Sequence, residues 1–312
     1  MDLWLLDPGV DHLNHGSFGA CPRPVLEAQQ RWRHDMERNP VRFVLDAYQP
    51  ALEAARMELA EFVGAEPAGL VFVTNATTGV NVVLRSLEPD LGPGDELVVT
   101  DHTYNACRNA AEVAALRTGA RLVVAATPFP IDSADQVVAA VLRSVTDRAR
   151  LLMIDHVTSP TALVFPVERL VAELEPAVPV LVDGAHAPGM VPLALEALGA
   201  SFTVGNCHKW LCAPKGAGYL HVRADHRERM MPLVVSHGWN SAFPPSGSRF
   251  QALFDWGGTA DPSAWLAVPD AIRVVGELAP GGWPAVMAAN RSLALEARRV
   301  LCQALQVDPP AP

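Results

Sequence analysis

The feature that most constrains the fold is an alternation of short apolar runs with longer amphipathic segments between Leu70 and Val222. Runs rich in β-branched residues predict strands, and the i, i+3, i+4 recurrence of apolar residues between them predicts helices. This alternation is typical of a mainly parallel sheet with helices on both faces, so we predict an α/β fold. The predicted strands are 70–74, 96–100, 121–125, 150–154, 179–183 and 201–204, and the predicted helices are 78–87, 105–117, 134–145, 166–174 and 191–198.

The segments around this alternation add a seventh strand and several flanking elements. Residues 218–222 follow the sixth strand after only about a dozen residues without a helix, which favours antiparallel pairing. The flanking predictions are a polar loop at 14–19, arginine-rich helices at 28–37 and 51–63, a loop at 244–247, and helices at 262–277 and 284–305.

The charge balance excludes several classes of partner. The formal net charge is −10 and there is no block of basic residues, so nothing attracts nucleic-acid phosphates or anionic lipids. No apolar run reaches membrane-spanning length, and the first residues lack the basic region of a signal peptide. The five cysteines lack the paired spacing of zinc sites and disulfide scaffolds. We therefore expect a cytoplasmic protein with reduced thiols that binds no nucleic acid, membrane or metal.

Lysine usage singles out one position. Only two of the 24 basic residues are lysines, Lys209 and Lys215, and an arginine cannot release its proton to become a nucleophilic amine. Composition alone favours ordinary surface charges for both. Lys209, however, follows the sixth predicted strand and precedes Trp210-Leu211, and apolar surroundings lower the pKa of an amine. Lys215, beside Pro214, is predicted to lie on the surface.

Other polar residues follow predicted strands at the sheet edge where doubly wound proteins bind ligands. Asp183 ends the fifth strand, next to the sixth, and Thr77 and Thr78 open a helix whose N–H groups suit a phosphate. Tyr104 and His102 follow the second strand. Taken singly, each of these residues also fits a cap, turn or packing role. Together, an imine-forming lysine, an Asp on the adjacent strand and a phosphate-binding helix start are the parts needed to hold pyridoxal phosphate.

Seven short motifs follow one another in a resemblance that extends from about residue 13 to residue 277. They are Leu13-Asn14-His15-Gly16-Ser17-Phe18-Gly19, Thr74-Asn75-Ala76-Thr77, Asp155-His156-Val157-Thr158-Ser159-Pro160-Thr161, Asp183-Gly184-Ala185-His186, Gly205-Asn206-Cys207-His208-Lys209-Trp210-Leu211, Gly216-Ala217-Gly218-Tyr219-Leu220 and Gly258-Thr259. In this order they resemble the class V aminotransferase group of fold-type I pyridoxal phosphate enzymes, most closely its isopenicillin N epimerase-like branch, a relative of cysteine desulfurases.

The resemblance implies a fold-type I transferase fold with a seven-stranded, mainly parallel sheet and a truncated C-terminal small domain. The chain then divides into an N-terminal arm (1–25), a large cofactor-binding domain (26–277), and a long helix with the start of an incomplete small domain (278–312). The large domain of such enzymes pairs with a second copy, so we expect a homodimer.

The resemblance also implies a role for each matching residue. Lys209 would form the Schiff base and move the proton at the substrate α-carbon, Asp183 would pair with the pyridinium nitrogen, and His186 would hydrogen-bond the ring hydroxyl. Tyr104 is the choice for ring stacking, ahead of His102. The further roles are phosphate binding by Ala76, Thr77, Thr78, Asn206 and His208, contact with the partner subunit's cofactor phosphate by Thr259, contact with the ring edge by Thr158 and Ser159, and lining of the substrate entrance by Asn14 and His15.

The chain departs from the family pattern at three places. The small-domain arginine that grips the substrate carboxylate has no counterpart here, and Ala260 stands where relatives commonly carry an arginine. Cys302 lies in a helical run and does not match the loop cysteine of the desulfurases, which disfavours sulfur transfer through a persulfide.

We therefore expect a pyridoxal phosphate-dependent enzyme that acts at the α-carbon of an amino acid or an amino-acid-derived metabolite. Epimerisation, transamination and lyase chemistry with C–S cleavage all remain open. One alternative is a catalytically impaired or non-enzymatic homologue that binds the cofactor. A Cys-His hydrolase using Cys207 and His208 is disfavoured, since sequence neighbours on an extended chain end point in different directions.

Overall fold

The structure, a computed structural model, describes residues 3–240 and 248–312, and within them seven strands form one sheet in the order β1-β7-β6-β5-β4-β2-β3. The strands are β1 (Leu70–Val73), β2 (Glu96–Thr100), β3 (Arg121–Ala125), β4 (Ala149–Asp155), β5 (Val180–Gly184), β6 (Phe202–Asn206) and β7 (Gly218–Val222). The helices are α1 (Arg23–Arg38), α2 (Pro40–Arg42), α3 (Tyr48–Val63), α4 (Ala76–Leu87), α5 (Asn105–Thr118), α6 (Ala134–Ser144), α7 (Val167–Leu174), α8 (Leu195–Leu198), α9 (Arg249–Asp255), α10 (Ser263–Leu266), α11 (Val268–Gly276) and α12 (Gly282–Leu305). The predicted α/β class and the mainly parallel seven-stranded sheet are confirmed.

The sheet is parallel from β3 across to β6, and β7 is antiparallel to both β6 and β1. The connection from β6 to β7 contains no helix, so it cannot make the long crossover that parallel pairing needs. The predicted antiparallel pairing of residues 218–222 is therefore confirmed, as is the adjacency of the fifth and sixth strands.

Helices cover both faces of the sheet, which explains why its strands are apolar without alternation. Neighbouring residues of β5 enter different cores: Leu181 packs with α4 and α5, and Val182 packs with α6 and α7 on the other face. The carboxyl ends of β4, β5 and β6 therefore emerge between two buried layers, at one edge of the sheet.

Two predicted helices differ from the structure. The predicted helix 262–277 is divided into α10 and α11 at Ala267, because Pro269 stands in the first turn of α11 and cannot donate a helical hydrogen bond. The predicted helix 191–198 is reduced to α8, because Pro192 disfavours helical geometry at the residue before it. The predicted loop at 244–247 lies outside the described residues. None of the helices within 3–240 and 248–312 is both long and apolar enough to cross a membrane.

Candidate active site

The structure brings Lys209, Asp183 and His186 together at the carboxyl edge of the sheet. Strands β5 and β6 run side by side with Gly184 opposite Gly205, so the residues that follow them enter the same crevice. The Nζ atom of Lys209 lies 3.0 Å from the Nε2 atom of His186. Asp183 acts on the same amine through its charge.

The environment of Lys209 makes its amine easier to deprotonate than an exposed lysine. Burial lowers its pKa, and the negative charge of Asp183 opposes this effect only in part. Its Nζ atom also lies 5.9 Å from the centre of the Tyr104 ring, whose side chain is 44% exposed at the start of α5. A partly desolvated amine that faces an exposed aromatic ring is suited to attack a planar carbonyl compound.

The Asp183 side chain is buried but well supplied with donors. Its Oδ2 accepts a hydrogen bond from the Cys107 thiol at 3.2 Å, and its Oδ1 accepts one from the Ala185 N–H at 3.0 Å. Burial raises the pKa of Asp183, and these donors and the charge of Lys209 oppose the rise only in part. A cationic group bound in the crevice would further favour the charged form of this carboxylate.

Two further residues at this edge were not predicted from the sequence to belong to the site. Asp155 is the last residue of β4 and is the register partner of Asp183 on β5. Cys107 lies in the first turn of α5, three residues beyond Tyr104. A comparison of strand ends would have found Asp155, because it occupies the same place on its strand as Asp183. Nothing in the sequence marks Cys107.

The start of α4 is tied to the end of β6. The Oδ1 atom of Asn206 accepts a hydrogen bond from the Ala76 N–H at 2.8 Å, and Asn75 caps the Thr78 N–H at 2.8 Å. The hydroxyls of Thr78 and Thr74 lie 2.9 Å apart. Because the positive end of the helix dipole lies at this terminus, an anionic group is favoured beside Thr77.

His208 points its imidazole back into the fold. Its Nδ1 atom donates to the carbonyl oxygen of Ala217 at 2.7 Å, which leaves Nε2 as the atom available to a ligand. The preceding residue, Cys207, is fully buried and its pKa is raised by burial, so it makes no nucleophile with His208. Among the described residues no group of three or more His, Cys, Asp and Glu side chains is arranged to hold a metal ion.

The loop after β4 is hydrogen-bonded to His102. The hydroxyl of Thr158 lies 2.8 Å from that of Thr161, which in turn lies 2.9 Å from Nδ1 of His102. The His102 ring packs against Phe165, with centroids 5.6 Å apart. This arrangement supports Tyr104 over His102 as the stacking residue. Ser159 is exposed in the same loop.

The N-terminal arm packs closely against the residues of the crevice. An added Cβ at Gly19 would clash with the carbonyl oxygen of His208, and one at Gly16 would lie 2.8 Å from Nδ1 of His186, so both glycines permit close approach. The ring of His15 lies 5.7 Å from that of Trp210, and Asn14 accepts a 2.8 Å hydrogen bond from the Gly16 N–H. The structure thus places His15 against the residue that follows Lys209, and Asn14 in the turn that approaches His186.

Thr259 lies in a cavity beside the start of α4. It is exposed and lines this cavity of about 390 Å³ together with Lys215, Trp256 and Thr74, and the Thr74 hydroxyl lies 2.9 Å from that of Thr78. Lys215 is also exposed, as predicted. No contact within the described residues joins Thr259 to Lys209 of the same chain.

The pH dependence of stability should reveal the burial of His186. Burial and the nearby charge of Lys209 lower the pKa of His186 from 6.5 to about 4. As the pH falls from about 6.5 towards about 4, the imidazole is protonated in the unfolded chain but not in the folded chain, so the stability of the fold decreases. We expect the Tm of the cofactor-free His186→Gln variant to decrease less between neutral pH and about pH 5 than the Tm of the original chain.

The matched control for this measurement is His34→Gln, which removes an exposed imidazole from α1. Thermal unfolding followed by circular dichroism would measure all three proteins. An equal decrease in Tm for His186→Gln and the original chain would contradict the lowered pKa of His186.

The chain is similar to known proteins over most of its length. Residues 19–304 match the family described as Aminotransferase class-V. The chain is 36% identical over 311 residues to isopenicillin N epimerase of Streptomyces clavuligerus, covering 95% of this chain and 76% of that protein. It is 33% identical over 315 residues to putative L-cysteine desulfhydrase 1 of Oryza sativa subsp. japonica, covering 96% of this chain and 64% of the rice protein.

A solved structure has the same fold. The complex of the cystine C-S lyase C-DES with its product cysteine persulfide superposes with a TM-score of 0.75 and 23% identity, over 85% of this chain and 72% of that chain. The chain therefore spans about two thirds of the length of the rice relative and nearly three quarters of the lyase chain.

Proposed function

Because the chain belongs to the aminotransferase class V family, we propose that it is a pyridoxal phosphate-dependent enzyme acting at the α-carbon of an amino acid or an amino-acid-derived metabolite. The observation that carries this proposal is the buried amine of Lys209, 3.0 Å from His186, close enough to the buried Asp183 for that charge to act on its pKa. When bound, the cofactor supplies an electron-poor ring that stabilises negative charge at the substrate α-carbon.

The residues of the crevice fit this cofactor. Lys209 would hold its aldehyde carbon, and Asp183 is a buried carboxylate that lies ready for a cationic ring nitrogen. Tyr104 offers an exposed ring face on the side of the amine, and the start of α4 at Thr77 would receive the phosphate. His186, hydrogen-bonded to the amine, would contact the ring hydroxyl.

Lys209 would also carry the proton in the reaction. Once the substrate amine has taken its place, the Nζ atom would be free to accept a proton from the α-carbon and return it, and burial assists this step because it lowers the pKa of the amine. His186 stays neutral above about pH 4 and can hydrogen-bond that amine without repelling its charged form. Epimerisation, transamination and C–S cleavage share this proton removal and differ in where the next proton goes.

The cytoplasmic homodimer expected from the sequence remains part of the proposal. Thr259 is exposed on the wall of a cavity, where a second copy could approach it, which supports a role at the partner subunit's cofactor phosphate. Light scattering of the purified chain should give the mass of two copies. A monomer at every concentration would contradict the assigned role of Thr259.

The experiment that tests the function uses the purified chain supplied with pyridoxal phosphate. We expect a new absorption band on binding and a spectral change when a suitable amino acid is added. Assays for racemised amino acid, for keto acid, and for pyruvate with sulfide then separate the three reactions. Tight binding without exchange with any amino acid would support the catalytically impaired alternative. The absence of any binding would overturn the proposal.

A further inference from the structure

Two carboxyl groups stand side by side at the ends of β4 and β5. Asp155 and Asp183 are register partners on adjacent parallel strands, so their side chains project from the same face of the sheet. Both side chains are buried, and the Cα atoms of such partners lie about 4.8 Å apart. Two ionised carboxylates at this separation, out of contact with water, would repel each other strongly.

One carboxyl oxygen of the pair has no hydrogen-bond donor. Both oxygens of Asp183 accept hydrogen bonds, Oδ2 from the Cys107 thiol at 3.2 Å and Oδ1 from the Ala185 N–H at 3.0 Å. Asp155 also has donors in the Thr103 hydroxyl and the Tyr104 N–H, but its buried Oδ2 atom has no hydrogen-bond partner among the described residues. A buried anionic oxygen without a donor is costly, whereas a protonated one can itself donate to a neighbouring carboxylate. This unpartnered oxygen favours placing the proton of the pair on Asp155 and the charge on Asp183.

The charged groups that face Asp155 agree with this distribution. Burial and the charge of Asp183 raise the pKa of Asp155, and the Thr103 hydroxyl and the Tyr104 N–H oppose the rise only in part. Lys209 and Cys107 face the pair from the loop after β6 and from α5, and the charge of Lys209 favours ionisation of Asp183.

We propose that Asp155 is a positioning residue whose carboxyl group keeps its proton and holds the Asp183 carboxylate where it meets a cationic ring nitrogen. The part of this proposal that concerns the cofactor rests on the proposed function. The part that concerns the proton on Asp155 is a property of the folded chain alone, so the two can be tested separately.

The first test measures stability against pH without cofactor. Above about pH 4 an unfolded chain releases the Asp155 proton, while the folded chain keeps it, so rising pH favours unfolding until the raised folded pKa is reached. Asparagine carries no such proton. We expect Asp155→Asn to have a higher Tm than the original chain near pH 8, and the difference to disappear at about pH 4.

The control for this test is Asp11→Asn, which removes an exposed carboxyl in the N-terminal arm. A Tm for Asp155→Asn that is lower than that of the original chain by the same amount at every pH would show a merely structural role. That result would overturn the assigned protonation.

The second test measures binding of pyridoxal phosphate near pH 8. We expect Asp155→Asn to bind with unchanged affinity and with an unchanged pH midpoint for the bound absorption band, because no charge is removed. Asp155→Leu should bind about tenfold or more weakly, because nothing then donates to Asp183 from this side. A shifted midpoint in Asp155→Asn, or equal affinities for the Asn and Leu variants, would contradict the proposal.

These outcomes distinguish the two proposals from each other. If the original chain fails to bind pyridoxal phosphate, the proposed function fails, and the stability comparison still decides whether Asp155 keeps its proton. If Asp155→Leu does not fold, Asp155→Asn alone supports or overturns the inference through its absorption midpoint and its Tm profile.

Discussion

Lys209→Arg is expected to abolish the trapping of pyridoxal phosphate by borohydride and to lower turnover by about 10²–10⁴-fold or more. Arginine keeps a positive charge beside Asp183, but its guanidinium does not lose a proton to become a nucleophile at working pH. The variant therefore removes the amine while retaining a charged partner for the carboxylate. Trapping is measured as a mass increase on the reduced protein, and turnover with the amino acid identified by the substrate panel.

The chain supplies a matched control, because Lys215 is its only other lysine. Lys215 is exposed and lines the cavity that contains Thr259, and Lys215→Arg keeps the positive charge that acts on His208, so this variant should retain both trapping and turnover. Peptide mapping then has two side-chain amines to distinguish. A reduced adduct on Lys215, or full trapping in Lys209→Arg, would remove the basis of the proposed function.

Arg56→Ala is expected to lower the free energy of unfolding by about 3–5 kcal/mol, the range for breaking a buried ion pair. The Arg56 side chain is fully buried and lies 2.7 Å from Oδ2 of Asp255, and its Nη1 atom donates to the Leu70 carbonyl at 2.7 Å. Removal of the guanidinium leaves the buried Asp255 carboxylate without its cationic partner, and the Gln49 amide is its remaining side-chain donor. Burial already raises the pKa of Asp255, and Arg56 is the main group that holds it down.

Urea unfolding followed by circular dichroism would measure this loss. The control is Arg299→Ala, which breaks an ion pair with Glu296. Both side chains of this pair are more than half exposed. Such surface pairs contribute about 0–1 kcal/mol, so this control should unfold almost as the original chain does. In a chain that already carries Asp255→Asn, Arg56→Ala should cost less, since no charge is then left unpaired. An equal cost in both backgrounds would show that Asp255 is not the partner that matters.

This ion pair also places the loop that carries Thr259. Asp255 is the last residue of α9, and its carbonyl oxygen accepts a 2.6 Å hydrogen bond from the Tyr48 hydroxyl of α3. Thr259 follows within four residues. The buried cluster therefore connects the stability of the large domain to the position of the loop that we assign to the partner subunit's site.

Much of the site was predictable because strand periodicity and strand ends are local properties of a sequence. The apolar runs located each strand within a few residues, and the polar residues directly after them included Lys209 and Asp183. The rarity of lysine then separated Lys209 from the arginines that cover the surface. Family resemblance added His186 and the N-terminal arm, which have no periodic signal of their own.

The remaining features depend on contacts between distant parts of the chain. Asp155 and Asp183 are 28 positions apart, and only the register of β4 on β5 makes them a pair. The direction of His102 was equally undetermined until the loop after β4 supplied Thr161 as its hydrogen-bond partner. Local sequence specifies secondary structure and the residue at each strand end, because those depend on neighbours in the chain. The charge state and orientation of the same side chains were decided by tertiary structure, because burial and hydrogen-bond donors come from elements far apart in sequence.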